Sequence, residues 1–357
     1  MLTWLAKVTL VLALIAVRVF PVNSVTPNRY QIDLDKQPEE RWKEIAIDYK
    51  YQIKTVIADI LELFQVSNKS IQLVTIIADN LEFYLPTEIA REIHGLSAYS
   101  GIPLGELLIY NILHEITSFC TSIVVEDEYG AIIHGRNLDF GMTNSLKDSV
   151  IIVDVTRYSD VVCTGITYAG YVGLFTGVKQ DAFSLSANDR YSGDLLENIL
   201  ELLLNRQGKF VGLVMRELLQ SDTAVYREAL LELQTVELIA PCYVILGGVS
   251  PGEGAVITRG REGEIDVRFI DTDNNKWYVL ETNYDWWNPP GDNRRAAAIQ
   301  ALESAGRKKM TGHGLYQVLS TPYVCNNLTT FTAIMSAGIA KEFNVIIREE
   351  DTKCVHV

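Results

Sequence analysis

The sequence predicts a mixed α+β fold, layered sheets covered by helices, and the change of apolar period along the chain predicts it. Between residues 33 and 119 apolar side chains recur at spacings of three and four, the period of a helix face. After residue 119 short β-branched runs bounded by polar or glycine-containing breaks take over, give way to helical spacing, and then resume. Strands before helices before strands is the order expected of sheets with helical layers outside them. With 357 residues, 48% of them hydrophobic, the chain has the means to bury a sizeable core.

In order, Trp42, Ile45, Tyr49, Ile53, Val56, Ile57, Ile60 and Phe64 lay one stripe along a long amphipathic helix. A second apolar block runs from 71 to 85 and stops at Pro86, which lacks a backbone donor. A short helix is expected over 87–93, and Pro103 opens another over 104–116. Strands are expected at 121–125, 131–133, 150–155 and 161–167, helical structure between 194 and 233, then strands at 243–246, 254–258, 265–270 and 277–282. A helix over 294–303 follows the Pro289-Pro290-Gly291 break, and 328–335 reads as a last central strand.

The 31 basic and 45 acidic side chains leave a formal charge of −14, which opposes binding to nucleic acid. Residues 1–24 read as a secretory signal: a lysine, an apolar run of about ten residues, too short to span a bilayer, and small side chains at Val22-Asn23-Ser24. An uncleaved anchor or interfacial segment is the other reading. On the secretory route Asn68 and Asn327, each in an Asn-x-Ser/Thr sequon, become glycosylation sites. The five cysteines, Cys120, Cys163, Cys242, Cys325 and Cys354, stand singly, which supports neither a zinc site nor a dense disulfide framework. Their odd number leaves at least one thiol outside intramolecular pairing.

The residues with chemistry to offer gather around Phe119-Cys120. A hairpin about the polar turn at 126–130, centred near residue 128, places position 120 opposite position 136. Arg136 then faces Cys120, and a guanidinium beside a thiol favours the thiolate. Asp139 lies just beyond, in reach of an adjacent amine or of the arginine. A plainer reading stays open at this point, because a lone cysteine on an apolar strand is ordinarily a small core residue. Likewise Asn283 alone reads as a turn asparagine, and Arg294-Arg295 as a solvated helix start. His114, His134 and His313 lack the surroundings of a papain-like pair and read as structural or exposed. Gly170, Gly173 and Gly177 lack the lysine and hydroxyl of a phosphate loop and suit tight packing near a lipid pocket. Trp286 and Trp287 read equally as a lip touching membrane or acyl chain and as core.

The run CTSIVVEDEYGAIIHGRNLDF, beginning at Cys120, resembles the start of the catalytic subunit in the family of acid ceramidase and N-acylethanolamine-hydrolysing acid amidase, which are N-terminal-nucleophile hydrolases. Similarity continues through YAGYVGLFTG from Tyr168, ILGG from Ile245, GAVITR from Gly254, ETNYD from Glu281 and DNRR from Asp292, and back to Arg41-Trp42. The resemblance implies an αββα sandwich of two antiparallel sheets between helical layers. It also implies a precursor that cuts itself between Phe119 and Cys120. A small helical α subunit, 25–119, and a catalytic β subunit, 120–357, would then stay together non-covalently, since the helical part has no cysteine.

On the same footing, Cys120 is implied as the nucleophile, its new α-amine serving as base for its own thiol. Asp139 would orient that amine and Arg136 would moderate its basicity. Asn283 would donate to the oxyanion, and Arg294 would support the site. Where relatives place a glutamate before an arginine, this chain has Asp189 before Arg190, one methylene shorter, and Asp189 is kept as a supporting residue. No cofactor or metal is implied. The substrate implied is a lipid amide met at a membrane surface in the lysosome, or outside the cell if the protein is secreted. N-acylethanolamines are favoured over ceramide, although Ile102-Pro103-Leu104-Gly105-Glu106 leans towards the ceramidase. A catalytically inactive lipid-binding homologue is the alternative of another class.

Overall fold

The computed structural model describes residues 24–63, 83, 85–113, 119–141, 143–190, 208–338, 341–349 and 354. The leader up to residue 23, Asn68, most of the apolar block at 71–85, His114 and the helical stretch expected at 194–207 lie outside them.

Two sheets carry the molecule. The larger has eight strands: β1 (Asn28–Asp33), β4 (Val150–Arg157), β5 (Asp160–Tyr168), β6 (Thr176–Lys179), β7 (Phe183–Asp189), β8 (Cys242–Gly247), β9 (Gly254–Arg259) and β10 (Glu264–Phe269), in that order across it. The smaller runs β11 (Tyr278–Glu281), β2 (Phe119–Glu126), β3 (Ile132–Asp139), β12 (Thr329–Met335), β13 (Phe343–Ile347). Pairing is antiparallel except between β1 and β4, so the expected all-antiparallel sheets need one correction. β1 escapes sequence reading because it is a polar edge strand, with Ile32 its one buried residue. It stitches the segment before Cys120 into the sheet that follows it.

Side chains alternate across each strand, and this decides what every face does. From β2, Ile123 and Val125 pack outward with Leu302, Leu315 and Leu319, on the helices α9 (Arg294–Ala305) and α10 (Gly312–Leu319). Val124 packs inward with Tyr243, Ile245 and Val256 of the other sheet, and by alternation Cys120 and Ser122 share that inner face. Gly135 permits the close approach of α10: a Cβ there would lie 2.7 Å from Leu315 Cδ2. On the far side, α7 (Val211–Gln220) and α8 (Tyr226–Thr235) cover the larger sheet with Val214, Leu218, Ala229 and Leu233 buried.

The expected long N-terminal helix is three pieces, α1 (Pro38–Arg41), α2 (Lys43–Asp48) and α3 (Lys50–Leu63). The chain steps out of helical geometry at Trp42 and Tyr49, and both rings are buried, so the apolar stripe survives the breaks. The next helix, α4 (Thr87–Ser100), is twice the expected length and ends at Gly101, whose φ of +67° makes a left-handed cap that glycine adopts without strain. After it come α5 (Leu104–Leu113) and, between β3 and β4, α6 (Thr143–Lys147). β6, β7, α10 and β13 were not legible, and β13 corrects the reading of 328–335 as the last strand, although β12 is central. Cys325 and Cys354 form a disulfide, both within the part that follows Cys120. Among the described residues no helix is long and apolar enough to cross a membrane.

Candidate active site

Cys120 is the second residue of β2 and is fully buried. The β2–β3 hairpin forms as expected, but its register pairs Cys120 with Leu138 and Ser122 with Arg136, correcting the direct 120–136 opposition. The turn centres one residue later than expected, at 129, because Asp127 closes it by accepting from Tyr129 N and Ala131 N. Moving the centre by one residue moves the partner by two, which keeps the face. Arg136 therefore reaches Cys120 diagonally, and its Nη2 donates to Sγ at 2.6 Å.

The rest of the guanidinium is held from the larger sheet: Nη1 donates to Phe175 O at 3.0 Å and to Thr176 Oγ1 at 2.7 Å. Phe331 offers its ring face 5.9 Å away. A wholly buried arginine placed this way is fixed at both ends of its fork, with the thiol at one of them.

The backbone nitrogen of Cys120 has its own holder. β11 pairs with β2 so that Glu281 meets Ser122, and two places further along, this register brings Asn283 across from Cys120. Asn283 Oδ1 accepts from Cys120 N at 2.7 Å and from Arg294 Nη2 at 2.9 Å. Its Nδ2 donates to the carbonyl of Asp189 at 2.8 Å. The Asn283 amide nitrogen is thus turned towards Asp189, and its oxygen towards the Cys120 nitrogen. Arg294, at the start of α9, donates from Nη1 to Cys120 O at 2.7 Å and from Nη2 to Asp292 at 2.7 Å. Burial pulls its pKa down, but Asp292 and Asp139 outweigh that and raise it.

Asp139 ends β3 opposite Phe119, the residue before Cys120. Its Oδ1 accepts from Thr329 Oγ1 at 2.7 Å and its Oδ2 from Asn326 Nδ2 at 2.9 Å, with Arg294 Nη1 3.7 Å away. Burial raises its pKa, while Arg294, these two donors and Arg136 resist the rise. Asp189 contributes differently from expectation: Arg190 turns away to a bidentate pair with Asp285, and Asp189 enters the site through its carbonyl. Its carboxyl is pushed up to about 8 by burial.

The other candidates fall into place. His134 lies buried between Ser184 Oγ at 3.0 Å and Ser186 Oγ at 2.8 Å, a bridge between the sheets, and burial with Arg136 nearby lowers its pKa to about 3. His313 stands beside Gln317 on α10. Trp286 and Trp287 are exposed, edge to face, on the loop joining Asn283 to Arg294, which excludes the core reading. Sequence reasoning missed Thr176, Asn326 and Thr329. The last two form an Asn-rich turn just ahead of a strand, and that turn was the available signal.

Comparison with known proteins identifies the family. A model described as the beta subunit of N-acylethanolamine-hydrolyzing acid amidase matches residues 25–85, and a model of the linear amide C–N hydrolases, choloylglycine hydrolase family, matches residues 120–317. N-acylethanolamine-hydrolyzing acid amidase from Caenorhabditis elegans is 36% identical over 323 residues, 88% of this chain and 90% of its own. Acid ceramidase from Macaca fascicularis is 36% identical over 347 residues, 91% of this chain and 87% of its own. A solved structure of the Caenorhabditis elegans N-acylethanolamine-hydrolyzing acid amidase ortholog matches with a TM-score of 0.59 and 39% identity, covering 64% of this chain and 99% of that one.

Proposed function

The chain belongs to the linear amide C–N hydrolases of the choloylglycine hydrolase family, and from that premise we propose that it is a lipid amidase, activated by its own cleavage before Cys120, that hydrolyses N-acylethanolamines to fatty acid and ethanolamine. The observation that carries the reading is the pair of contacts on one residue: Arg136 on the Cys120 thiol and Asn283 on the Cys120 nitrogen.

In the precursor the thiol attacks the Phe119 carbonyl and the acyl group passes from nitrogen to sulfur. Water then hydrolyses the thioester, leaving residues 25–119 and 120–357 as separate chains and a free α-amine on Cys120. That amine takes the thiol proton as the sulfur adds to the substrate carbonyl, and delivers it to the departing ethanolamine nitrogen. It next activates the water that releases the fatty acid. An α-amine has an ordinary pKa of about 8 and would be protonated in an acidic compartment. The guanidinium of Arg136 opposes that protonation, and Asp139 fixes the amine's direction. Asn283 would serve the oxyanion by turning its Nδ2 from the Asp189 carbonyl, while its Oδ1 still faces the Cys120 nitrogen.

The family match from residue 120 and the 64% share of the chain covered by the solved relative, close to the share that lies beyond residue 119, support the cut. The secretory leader, glycosylation at Asn68 and Asn327, and a lysosomal destination belong to this reading; Asn327 is exposed, as a glycan requires. The exposed Trp286-Trp287 pair suits contact with a membrane surface.

Intact mass after secretion and acidification tests the cut. Wild type should yield a chain beginning at Cys120 and Cys120→Ala should remain whole; cleavage of Cys120→Ala at the same bond refutes the mechanism. Fatty acid release from N-palmitoylethanolamine should exceed release from ceramide, and the reverse order would transfer the assignment to ceramide, the substrate named by the equally similar acid ceramidases.

A further inference from the structure

Asp139 is wholly buried, and a buried carboxylate needs donors on both oxygens to keep its charge and its direction. Both donors come from one short turn. Thr329 N donates to Asn326 O at 3.0 Å and closes it, and Asn326 Oδ1 accepts from Leu328 N at 2.8 Å and braces it. From that frame Thr329 Oγ1 addresses one carboxylate oxygen and Asn326 Nδ2 the other. The Thr329 hydroxyl also accepts from Asn326 N at 3.0 Å, so its proton is committed to Asp139. Leu328 O accepts from Phe140 N at 2.8 Å, locking the turn to the residue after Asp139. Cys325, just before the turn, is tied to Cys354.

We propose that the turn at residues 326–329 is a positioning element of the active site, and that Thr329, the hydroxyl residue of the Asn327 sequon, serves there as the donor that fixes Asp139 rather than only as a glycosylation determinant. Thr329 is 1% exposed, and its hydroxyl points away from solvent into the site. The proposal rests on the amidase reading above. The other groups around Asp139 are Arg294 from α9, Arg136 from its own strand, Arg348 beyond β13, and Tyr168 of β5. None of these takes over the place of the hydroxyl, since Arg294 stays 3.7 Å away and is shared with Cys120 O and Asp292.

The test is the pH profile of kcat/KM for hydrolysis of N-palmitoylethanolamine by the cut, full-length enzyme. Thr329→Val keeps shape but deletes the donor, so Asp139 should gain its proton at higher pH. A hydrogen bond to a charged group has the strength to move the acid limb upward by about one pH unit or more. Thr329→Ser, which keeps both hydroxyl and sequon, should restore the wild-type limb. Asn327→Gln, which removes the sequon alone, should also leave the limb in place. Coincident profiles for Thr329→Val and wild type would overturn the proposal, and so would an equal shift in Asn327→Gln, which would assign the effect to the glycan. If Thr329→Val is not secreted, Asn326→Ala, which deletes the donor to the other oxygen, should show the same shift, and an unshifted limb there overturns the proposal equally. Failure of the amidase reading looks different, because wild type itself would then release no fatty acid.

Discussion

Glutamate 92 is a buried carboxylate through which the part of the chain before Cys120 grips the part after it, and replacing it by glutamine tests that grip. Arg216 on α7 donates to both of its oxygens, and Arg41 Nη1 and Trp42 Nε1 donate from the N-terminal side at 3.0 and 2.7 Å. Glu92→Gln preserves shape and removes the charge. Arg41 would keep Glu88 at 2.8 Å and the carbonyl of Leu34. Arg216, 3% exposed, would keep the carbonyl of Val172 and the ring of Trp42. It is therefore the Arg216 charge that is left uncompensated. Breaking one side of a buried pair costs about 3–5 kcal/mol, or a fall of about 4–7 °C in thermal midpoint at about 2.1 cal/mol/K of unfolding entropy per residue. Burial raises the Glu92 pKa, but Arg216, Trp42 and Arg41 prevail, so the native value lies below the ordinary 4.5. The contribution is then complete above pH 4.5 and lost as pH falls through the lower native value. Calorimetry at pH 7, 4.5 and 3 should show a gap between wild type and Glu92→Gln that is full at pH 7 and narrows by pH 3. Size-exclusion of the cut protein should show the small chain leaving the variant first. The companion Glu92→Met with Arg216→Met should recover most of the loss. A Glu92→Gln protein within about 0.5 kcal/mol of wild type, the range of an ordinary surface change, would refute the reasoning.

Two further outcomes follow from the site. Arg136→Lys places one ammonium where a fork now spans Thr176 and Cys120; alkylation of Cys120 by iodoacetamide in the cut enzyme should slow about ten- to a hundredfold, and an unchanged rate would remove Arg136 from thiol activation. His134, neutral in the native state down to about pH 3 because burial and Arg136 disfavour its charge, gains a proton near pH 6.5 once unfolded. Its contribution is full above that value and declines by about 1.4 kcal/mol per pH unit as pH falls towards 3. His134→Gln, which retains a donor and an acceptor for Ser184 and Ser186, should flatten the dependence of thermal midpoint on pH between 6.5 and 4, and a parallel dependence would show that another group sets it.

How far such a site is legible depends on which separations decide each contact. The hairpin lies within 21 residues, and strand alternation alone put Cys120 and Arg136 on one face, so an error of one residue in the turn centre did no harm to their meeting. Asn283 and Arg294 lie 163 and 174 positions from Cys120. Only the pairing of β11 with β2 brings them in, and no local pattern announces which strand is the neighbour. The same blindness hid Glu92, which reads as a helix-surface glutamate until Arg216, 124 positions away, covers it. It also reversed the apparent importance of Asn327-Leu328-Thr329, where the sequence advertises the exposed asparagine and the fold uses the buried threonine. One local and two long-range partners converge on three atoms of one residue. Arg136 holds the Cys120 sulfur, Asn283 its nitrogen and Arg294 its carbonyl, so cleavage of a single bond would convert a residue already held at three atoms into nucleophile and base together. Cys120 sits at the second position of an interior strand, so under the proposed cleavage both the sheet and the preceding segment would fix it before the bond is cut.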